Sequence, residues 1–528
     1  MNKVTGSVPA GEQMPAQLME ALDGYESALA SDDVDLLGAY FVEGDEAMRG
    51  DASGLLVGRD QIDRFRGGRG GAPARELGDV QVRPVGVDHA YVTSVTIPAH
   101  GGRGMVTQLW RRTISDATPG GWVIVAAHVS APPAALDSRV WRVVGNPLVA
   151  SPSTGPLSEM SVAVKDLISV RGHAIGGGVP AFLAQSAPQV QHAPALARLV
   201  DAGADVAGIA QTDEFAYSIA GRNPHYGTPP NPAVPGGLPG GSSSGPASAV
   251  ALGHADIGLA TDTAGSIRVP ASYQGLWGLR PTHEAVSLEG VLPLAPAYDT
   301  VGVLARDGGT LLKAAPALLG DAPVELPANG DFPIVTSSDF MAPADAAVRE
   351  HVAALLARLV DAGAMSGLGE VRLPAAADLF PIFRVTQSAE AWRSHGEWVL
   401  SHPGALGDDI AARFAWAQAV TAEQEREGLV RQREAREVID AALGDAILVL
   451  PSASSPAPAT DSSEERLAQV REATLGMTAA AGMTGRPALS VPLMVVDGAP
   501  VGLCLVGPRG SDLALIETAL AWQDALQR

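Results

Sequence analysis

The sequence predicts two parts: a small α+β domain, then a larger α/β domain whose mixed sheet is flanked by helices. Two observations carry the division. Between residues 17 and 131 helical stretches come first, and then VQVRPVGV, YVTSVTIPA, MVTQLWRRTIS and GWVIVAAHVS alternate as an antiparallel meander would. From about residue 150 apolar strands alternate with helices, the pattern of a sheet covered on both faces. A length of 528 residues suits two or three domains, and 46% hydrophobic content supplies large cores.

In chain order, residues 1–16 are expected to be a flexible terminus. QLMEALDGYESALA (17–30) and residues 32–41 have amphipathic spacing for short helices, EAMRG reads as a strand, and a helix is expected from about Arg59 to Phe65. The glycine-rich GGRGGAP precedes the meander, and the first domain (17–133) closes near Pro132-Pro133. Residues 134–150 are read as a linker, with helix-like character in AALDSRVWRVV. In 151–528, strands are expected at MSVAVKDL, DVAGIAQ, IGLATDT, EVRLP, AILVLPS, PALSVPLMVV and VGLCLVG. Helices are expected at APALARLVDAGA, after the GSSSG segment, at AAVREHVAALLARLVDAGA and at the closing DLALIETALAWQDAL.

Composition removes several function classes. A formal charge of −22 repels phosphates, so neither a nucleic-acid partner nor an anionic membrane surface is expected. The single cysteine, Cys504, forms no internal disulfide and no cysteine-based metal site. The histidines show neither H-x-x-x-H nor H-E-x-x-H spacing, so no metal and no other cofactor is expected. The N-terminus lacks the apolar core of a secretory signal and no run reaches membrane-spanning length, so a cytoplasmic location is the expectation. Of 36 basic residues only Lys3, Lys165 and Lys313 are lysines. A lysine kept where arginine has taken nearly every other basic position is a candidate base, because only lysine readily gives up its proton.

LPGGSSSGPASA (238–249) is the most informative segment. Its apolar flanks disfavour a flexible linker, and the lysine of a phosphate-binding G-x-x-x-x-G-K-[ST] loop is missing. Gly241–Gly245 contains G-x-S-x-G, which would make Ser243 the nucleophile of an α/β-hydrolase-type esterase. That arrangement needs a late histidine, and the last two are His395 and His402.

A second reading combines VAVKDL (162–167), PGGSSSG (239–245) and DTAGSIRVPAS (262–272). With GTPPNPAVPGGLPGGSSSG, GLWGLRPT and the C-terminal AGMTGRPALSVPLMVVDGAPVGLCLVGPRGSDLALI, they resemble the amidase signature family of serine hydrolases over residues 150–528. The resemblance implies a Ser-Ser-Lys triad with Ser266 as nucleophile, Ser242 as the bridging serine after a cis peptide bond, and Lys165 as base. It also implies an oxyanion hole from backbone N–H groups of Thr263, Ala264, Gly265 and Ser266. Ser243, Tyr217 and Arg222 are the substrate-side candidates, and segment 375–430 is expected to shape the acyl pocket. Arg268 is expected to brace the loop, and Asp262 to orient the turn or Arg268. Where the family has Gly-Gly before the nucleophile this chain has Ala264-Gly265, so a positive φ at 264 would be strained. The chemistry stands on its own terms: a serine hydroxyl needs a base, and lysine serves only if burial lowers its pKa from about 10.4. The apolar V-A-V-K strand suits that burial, with Asp166 turned to the other face.

LDGYESAL, AMRGDASGLLVGRDQI and TQLWRRT…GWVIVAAHVS resemble the SnoaL-like cone domains, the AtzH-like branch in particular. That resemblance implies either a docking unit or a pocket for a small carboxylated or urea-like molecule. Tyr25, Arg49, Trp110 and His128 would face the pocket, with Arg49 anchoring an anion. The expected function is hydrolysis of a small carboxylic amide, carboxylated or urea-like, to carboxylate and ammonia through an acyl-enzyme. A homodimer is expected. The alternatives are the Ser243 esterase and a non-catalytic binding or complex subunit on the amidase fold, against which the intact Lys165, Ser242 and Ser266 argue.

Overall fold

Alternation of buried and exposed side chains builds the first sheet. The computed structural model describes residues 6–9, 11–51, 54–68, 75–98, 104–114, 118–130, 137–320 and 332–527. It divides into two compact units, Met1–Leu136 and Asp137–Arg528. The first unit contains strands β1 (Met48–Asp51), β2 (Gly54–Val57), β3 (Arg75–Val85), β4 (His89–Pro98), β5 (Gly104–Arg112) and β6 (Trp122–Ser130). Their order is β2-β1-β6-β5-β4-β3. Strands β3 to β6 form the expected antiparallel meander, and β1 joins β6 in parallel. Every second residue, Val80, Val82, Ala90, Val92 and Trp110 among them, packs with Leu18, Leu22 and Tyr25 of the helix Leu18–Ser31. The short β2 was not anticipated, because its mostly exposed GLLV carries no alternation. The N-terminal stretch is not free throughout: Ser7 bridges to Gln81, its N–H donating to Val80 O at 3.0 Å.

The second unit holds an eleven-stranded mixed sheet. Its strands are β7 (Trp141–Val149), β8 (Ser161–Lys165), β9 (Asp205–Ala210), β10 (Ile257–Asp262), β11 (Trp277–Arg280), β12 (Thr300–Ala305), β13 (Ile334–Thr336), β14 (Gly369–Glu370), β15 (Ile447–Pro451), β16 (Ala488–Val496) and β17 (Ala499–Val506). The order is β14-β13-β15-β17-β16-β11-β12-β10-β8-β9-β7. Residues 141–149, expected as linker with helical character, are instead the edge strand β7, paired antiparallel with β9. Its Trp141, Val143 and Val144 pair along Ala210, Ile209 and Gly208, so these apolar residues serve a sheet edge rather than a helix face. Residues 134–136 lie outside the described ones.

Strand β8 lies between β9 and β10 and runs parallel to both. All six residues of β10 are buried, as a strand covered on both faces requires. Parallel neighbours end at the same sheet edge, so the chain after Lys165 and the chain after Asp262 emerge side by side, where open α/β sheets place their ligands. The helices Ala376–Ser401, Asp408–Gln418 and Ala422–Leu443 were not anticipated. On the first, Thr386, Gln387 and Ser388 are buried with Phe380 and Phe383, so polar residues interrupt the apolar stripe that would have marked it.

Candidate active site

Lys165 ends β8 with no exposed surface. Its Nζ lies 2.8 Å from Ser242 Oγ, 2.9 Å from Ser243 Oγ and 2.8 Å from Thr261 Oγ1. Among the described residues no carboxylate is hydrogen-bonded to it. Burial pulls its pKa down to about 7, although Asp213, Asp262 and Asp299 act at longer range to raise it. The neighbouring Asp166 turns to the other face, pairing with Arg142 at 2.9 Å and accepting from Gly176 N–H at 3.0 Å. Of the other lysines, Lys313 is exposed and Lys3 lies outside the described residues.

The Gly241–Ser242 peptide bond is cis. A side chain at Gly241 would put its Cβ 2.4 Å from Asp213 Oδ2, so only glycine fits. Thr212 Oγ1 donates to Ser242 O at 2.9 Å and holds the loop from beneath. Ser243 N–H donates to Ser266 O at 3.3 Å, tying the two serine loops together. Ser266 Oγ makes no hydrogen bond among the described residues.

Asp262 organises the turn that carries Ser266. Its carboxylate accepts from Arg268 Nε (3.0 Å) and Nη2 (2.9 Å), from Arg280 Nη1 (3.1 Å), and from the N–H groups of Gly265 (2.8 Å) and Ile267 (3.1 Å). Burial alone would favour its neutral form, but the two guanidiniums hold its carboxyl well below the usual range. Arg268 thus braces the loop, as expected. Replacing one partner leaves buried charge uncompensated, so Asp262→Asn is expected to cost about 3–5 kcal/mol. A clear fall in the melting temperature of the full chain would register it, and an unchanged transition would refute the brace.

Gly265 N–H was expected in the oxyanion hole but is committed to Asp262 Oδ1. Ala264 and Ser266 N–H have no acceptor among the described residues. The positive φ, 125°, falls on Gly265 and not on Ala264, so alanine at 264 is not strained. Thr263 Oγ1 donates to Asp299 Oδ1 at 2.5 Å, fixing the start of the turn.

Ser266 opens onto a narrow pocket lined also by Tyr217, Ala264, Gln387, Arg413 and Arg471. Of the substrate-side candidates Tyr217 lines this pocket, its hydroxyl 2.6 Å from Ser388 Oγ. Arg222 does not: the chain turns outward after Ile219, and Arg222 forms an exposed ion pair with Glu464 at 3.0 Å. Ser243 is fully buried beside Lys165, its Oγ donating to Thr261 O at 3.2 Å, so it is neither a pocket residue nor a histidine-activated nucleophile. His395 stacks on Phe215 and pairs with Pro293 O, and His402 stacks on Trp398 and pairs with Gln185, so neither ring is bonded to that hydroxyl. Gln387 and Arg413 come from segment 375–430, as expected of the pocket wall. Arg471 and Leu475 were missed. Their signal was spacing: positions 471, 475 and 478 share one face of the helix Glu464–Thr484, and Thr478 Oγ1 donates to Ala264 O at 2.6 Å.

Residues 146–329 match the family model described as Amidase. Amidase 1 of Oryza sativa subsp. japonica is 33% identical over 388 residues, covering 68% of this chain and 89% of the relative. The chain belongs to the amidase family. It is therefore an amide-hydrolysing enzyme, with a hydrolase's action on carbon–nitrogen amide bonds. A further relative, 2-amino-5-chloromuconic acid deaminase of Comamonas testosteroni, is 33% identical over 381 residues, covering 69% of this chain and 81% of its own. A crystal structure of an amidase superposes with a TM-score of 0.65 at 28% identity, covering 74% of this chain and 92% of that one. Among the described residues of this amidase no helix is long and apolar enough to cross a membrane, and no cluster of three or more His, Cys, Asp or Glu could hold a metal ion.

Residues 10–134 match the AtzH-like family model, so the amidase unit follows an AtzH-like one. In that unit Tyr25 and Trp110 are buried edge to face at 6.1 Å. Tyr25 Oη accepts from Arg66 Nη2 at 3.0 Å. Arg49 is buried, ion-paired with Asp51 at 2.5 Å and stacked over Phe65. His128 was expected on the inside but is exposed. It pairs with Thr107 on the outer face of β5 and β6, while its neighbour Ala127 points inward.

Proposed function

We propose that this amidase converts a small carboxylic amide, R–CO–NH₂, to R–COO⁻ and ammonia through an acyl-enzyme on Ser266, with Ser242 and Lys165 relaying the proton. The observation that carries the reading is a fully buried lysine surrounded by hydroxyls, with no carboxylate bonded to it among the described residues. A neutral amine has two N–H donors and one lone pair. Ser243 gives its hydrogen to Thr261 O and so accepts from Lys165; Thr261 Oγ1 takes the second N–H. The lone pair is left for the hydroxyl hydrogen of Ser242. Ser242 Oγ then takes the proton of Ser266 Oγ as that oxygen attacks the amide carbon, and Ala264 and Ser266 N–H receive the developing oxyanion. The C–N bond breaks, the relay runs backward, and the leaving nitrogen departs as ammonia. Water repeats the sequence on the ester. A relative named as a deaminase suits ammonia as the product. In this reading Ser243 is a positioning residue that aims the lysine.

Labelling with a fluorophosphonate and locating the adduct by peptide mass spectrometry tests the reading. The expected adduct is on Ser266 and is lost in Lys165→Ala. An adduct on Ser243 that is indifferent to Lys165 would refute it.

The lysine also sets the pH profile. Because only its neutral form accepts a proton, kcat/KM is expected to rise about tenfold per pH unit below about 7 and to level above it. A profile flat between pH 5 and 8 would show that Lys165 is not the base.

A further inference from the structure

The pocket beside Ser266 has an electrostatic character opposite to the chain's. The protein carries 58 acidic against 36 basic residues, yet this lining contains two arginines and no carboxylate. Arg413 is committed: its Nη2 pairs with Asp409 at 2.6 Å and its Nη1 donates to Tyr217 O at 2.6 Å. Arg471 is not. It forms no ion pair and no hydrogen bond among the described residues, and its buried Nε has no partner. Its guanidinium lies over the Phe380 ring, 6.0 Å from the centroid, with Arg413, Tyr217 and Asp409 near enough to act on its charge. Burial and the like charge of Arg413 both press against its protonated form. Gln387, also buried in the lining, makes no side-chain hydrogen bond among the described residues. A buried donor left open, as Arg471 Nε is, is uncommon in folded proteins and leaves a place for an acceptor.

We propose that the substrate's acyl half ends in a carboxylate that docks on Arg471 and Gln387, making the substrate a monoamide of a short dicarboxylic acid. The inference rests on the Ser266 reading above, because both ends of one small molecule must share one narrow pocket. A guanidinium takes a carboxylate through paired N–H donors, and an amide N–H can add a third. The acid end would then fix the amide carbonyl against Ser266, with the binding made far from the bond that breaks.

Ammonia release from succinamate and glutaramate is to be compared with release from their uncharged diamides, in the wild-type protein, R471Q and R471K. The acids are expected to exceed the diamides in kcat/KM by about 10- to 100-fold, mostly through KM, the worth of one charge-assisted contact. R471Q should bring that ratio near one, and R471K should keep part of it. Equal use of acid and diamide, or a ratio unmoved by R471Q, overturns the proposal while the Ser266 reading stands. Loss of all amide hydrolysis and of Ser266 labelling would instead strike the parent reading. Binding is then read without turnover. Succinate and glutarate should raise the melting temperature where the diamides do not, and R471Q should abolish the rise. Absence of that difference overturns the proposal.

Discussion

Ser266→Ala is expected to lower kcat by about 10⁶-fold, the scale on which a serine site fails when its nucleophile is removed from a concerted relay. The variant should fold, because Ser266 Oγ has no hydrogen bond to lose and the turn is held by Asp262, Arg268 and Arg280 through other atoms. Ser242→Ala should behave differently. It breaks the relay but leaves the nucleophile, so a loss of about 10²–10⁴-fold is expected, the usual share of general acid–base assistance. Slow labelling of Ser266 should survive in that variant. Single-turnover ammonia release and labelling rates, measured beside melting curves, separate the two. Substantial turnover retained in Ser266→Ala would remove Ser266 from the nucleophile's role.

Lys165→Met is expected to move activity and stability in opposite directions at acid pH. Activity should fall by about 10²–10⁴-fold because the base is gone and a thioether of similar length accepts no proton from Ser242. Stability follows from linkage. In the folded chain the lysine titrates near 7, against an ordinary value of 10.5. Between these values the unfolded chain holds the extra proton, so wild-type stability rises with pH across that window. Below about 7 the folded protein carries the whole cost of a buried ammonium; above 10.5 it carries none. Methionine has no such proton, so the variant should lose the rise. Its stability relative to wild type should therefore be greater at pH 6 than at pH 10. Parallel stability curves for the two proteins would show that burial does not perturb this lysine.

Motifs of local origin were legible in the sequence. GGSSSG, DTAGSIR and the lysine in an apolar strand are each continuous, and each announces chemistry by residue type. The strands were legible too, since VAVK and IGLATD are apolar runs that only a sheet covered on both faces accommodates. What escaped was set by partners distant in the chain. Residues 141–149 read as a linker because an edge strand needs its neighbour β9, which follows well after it in the chain, to define it. Arg222 and His128 were assigned by their neighbours in sequence, but an outward turn and a strand's alternation placed both in solvent. Gly265 looked like an oxyanion donor until Asp262 claimed its N–H.

By itself, then, the chain's order of residues determined which side chains are chemically capable: one lysine in an apolar strand, three serines after paired glycines, and a serine on a small-residue turn. Only the tertiary structure decided which of them meet. Parallel β8 and β10 deliver Lys165 and the Ser266 turn to one edge, and burial there brings the lysine's pKa down to about 7. Arg471 arrives from a helix more than two hundred residues after Ser266, and its open guanidinium becomes meaningful only when the partners around it can be counted. Desolvation and hydrogen-bond satisfaction depend on neighbours in space, and neither is written into any contiguous stretch of sequence.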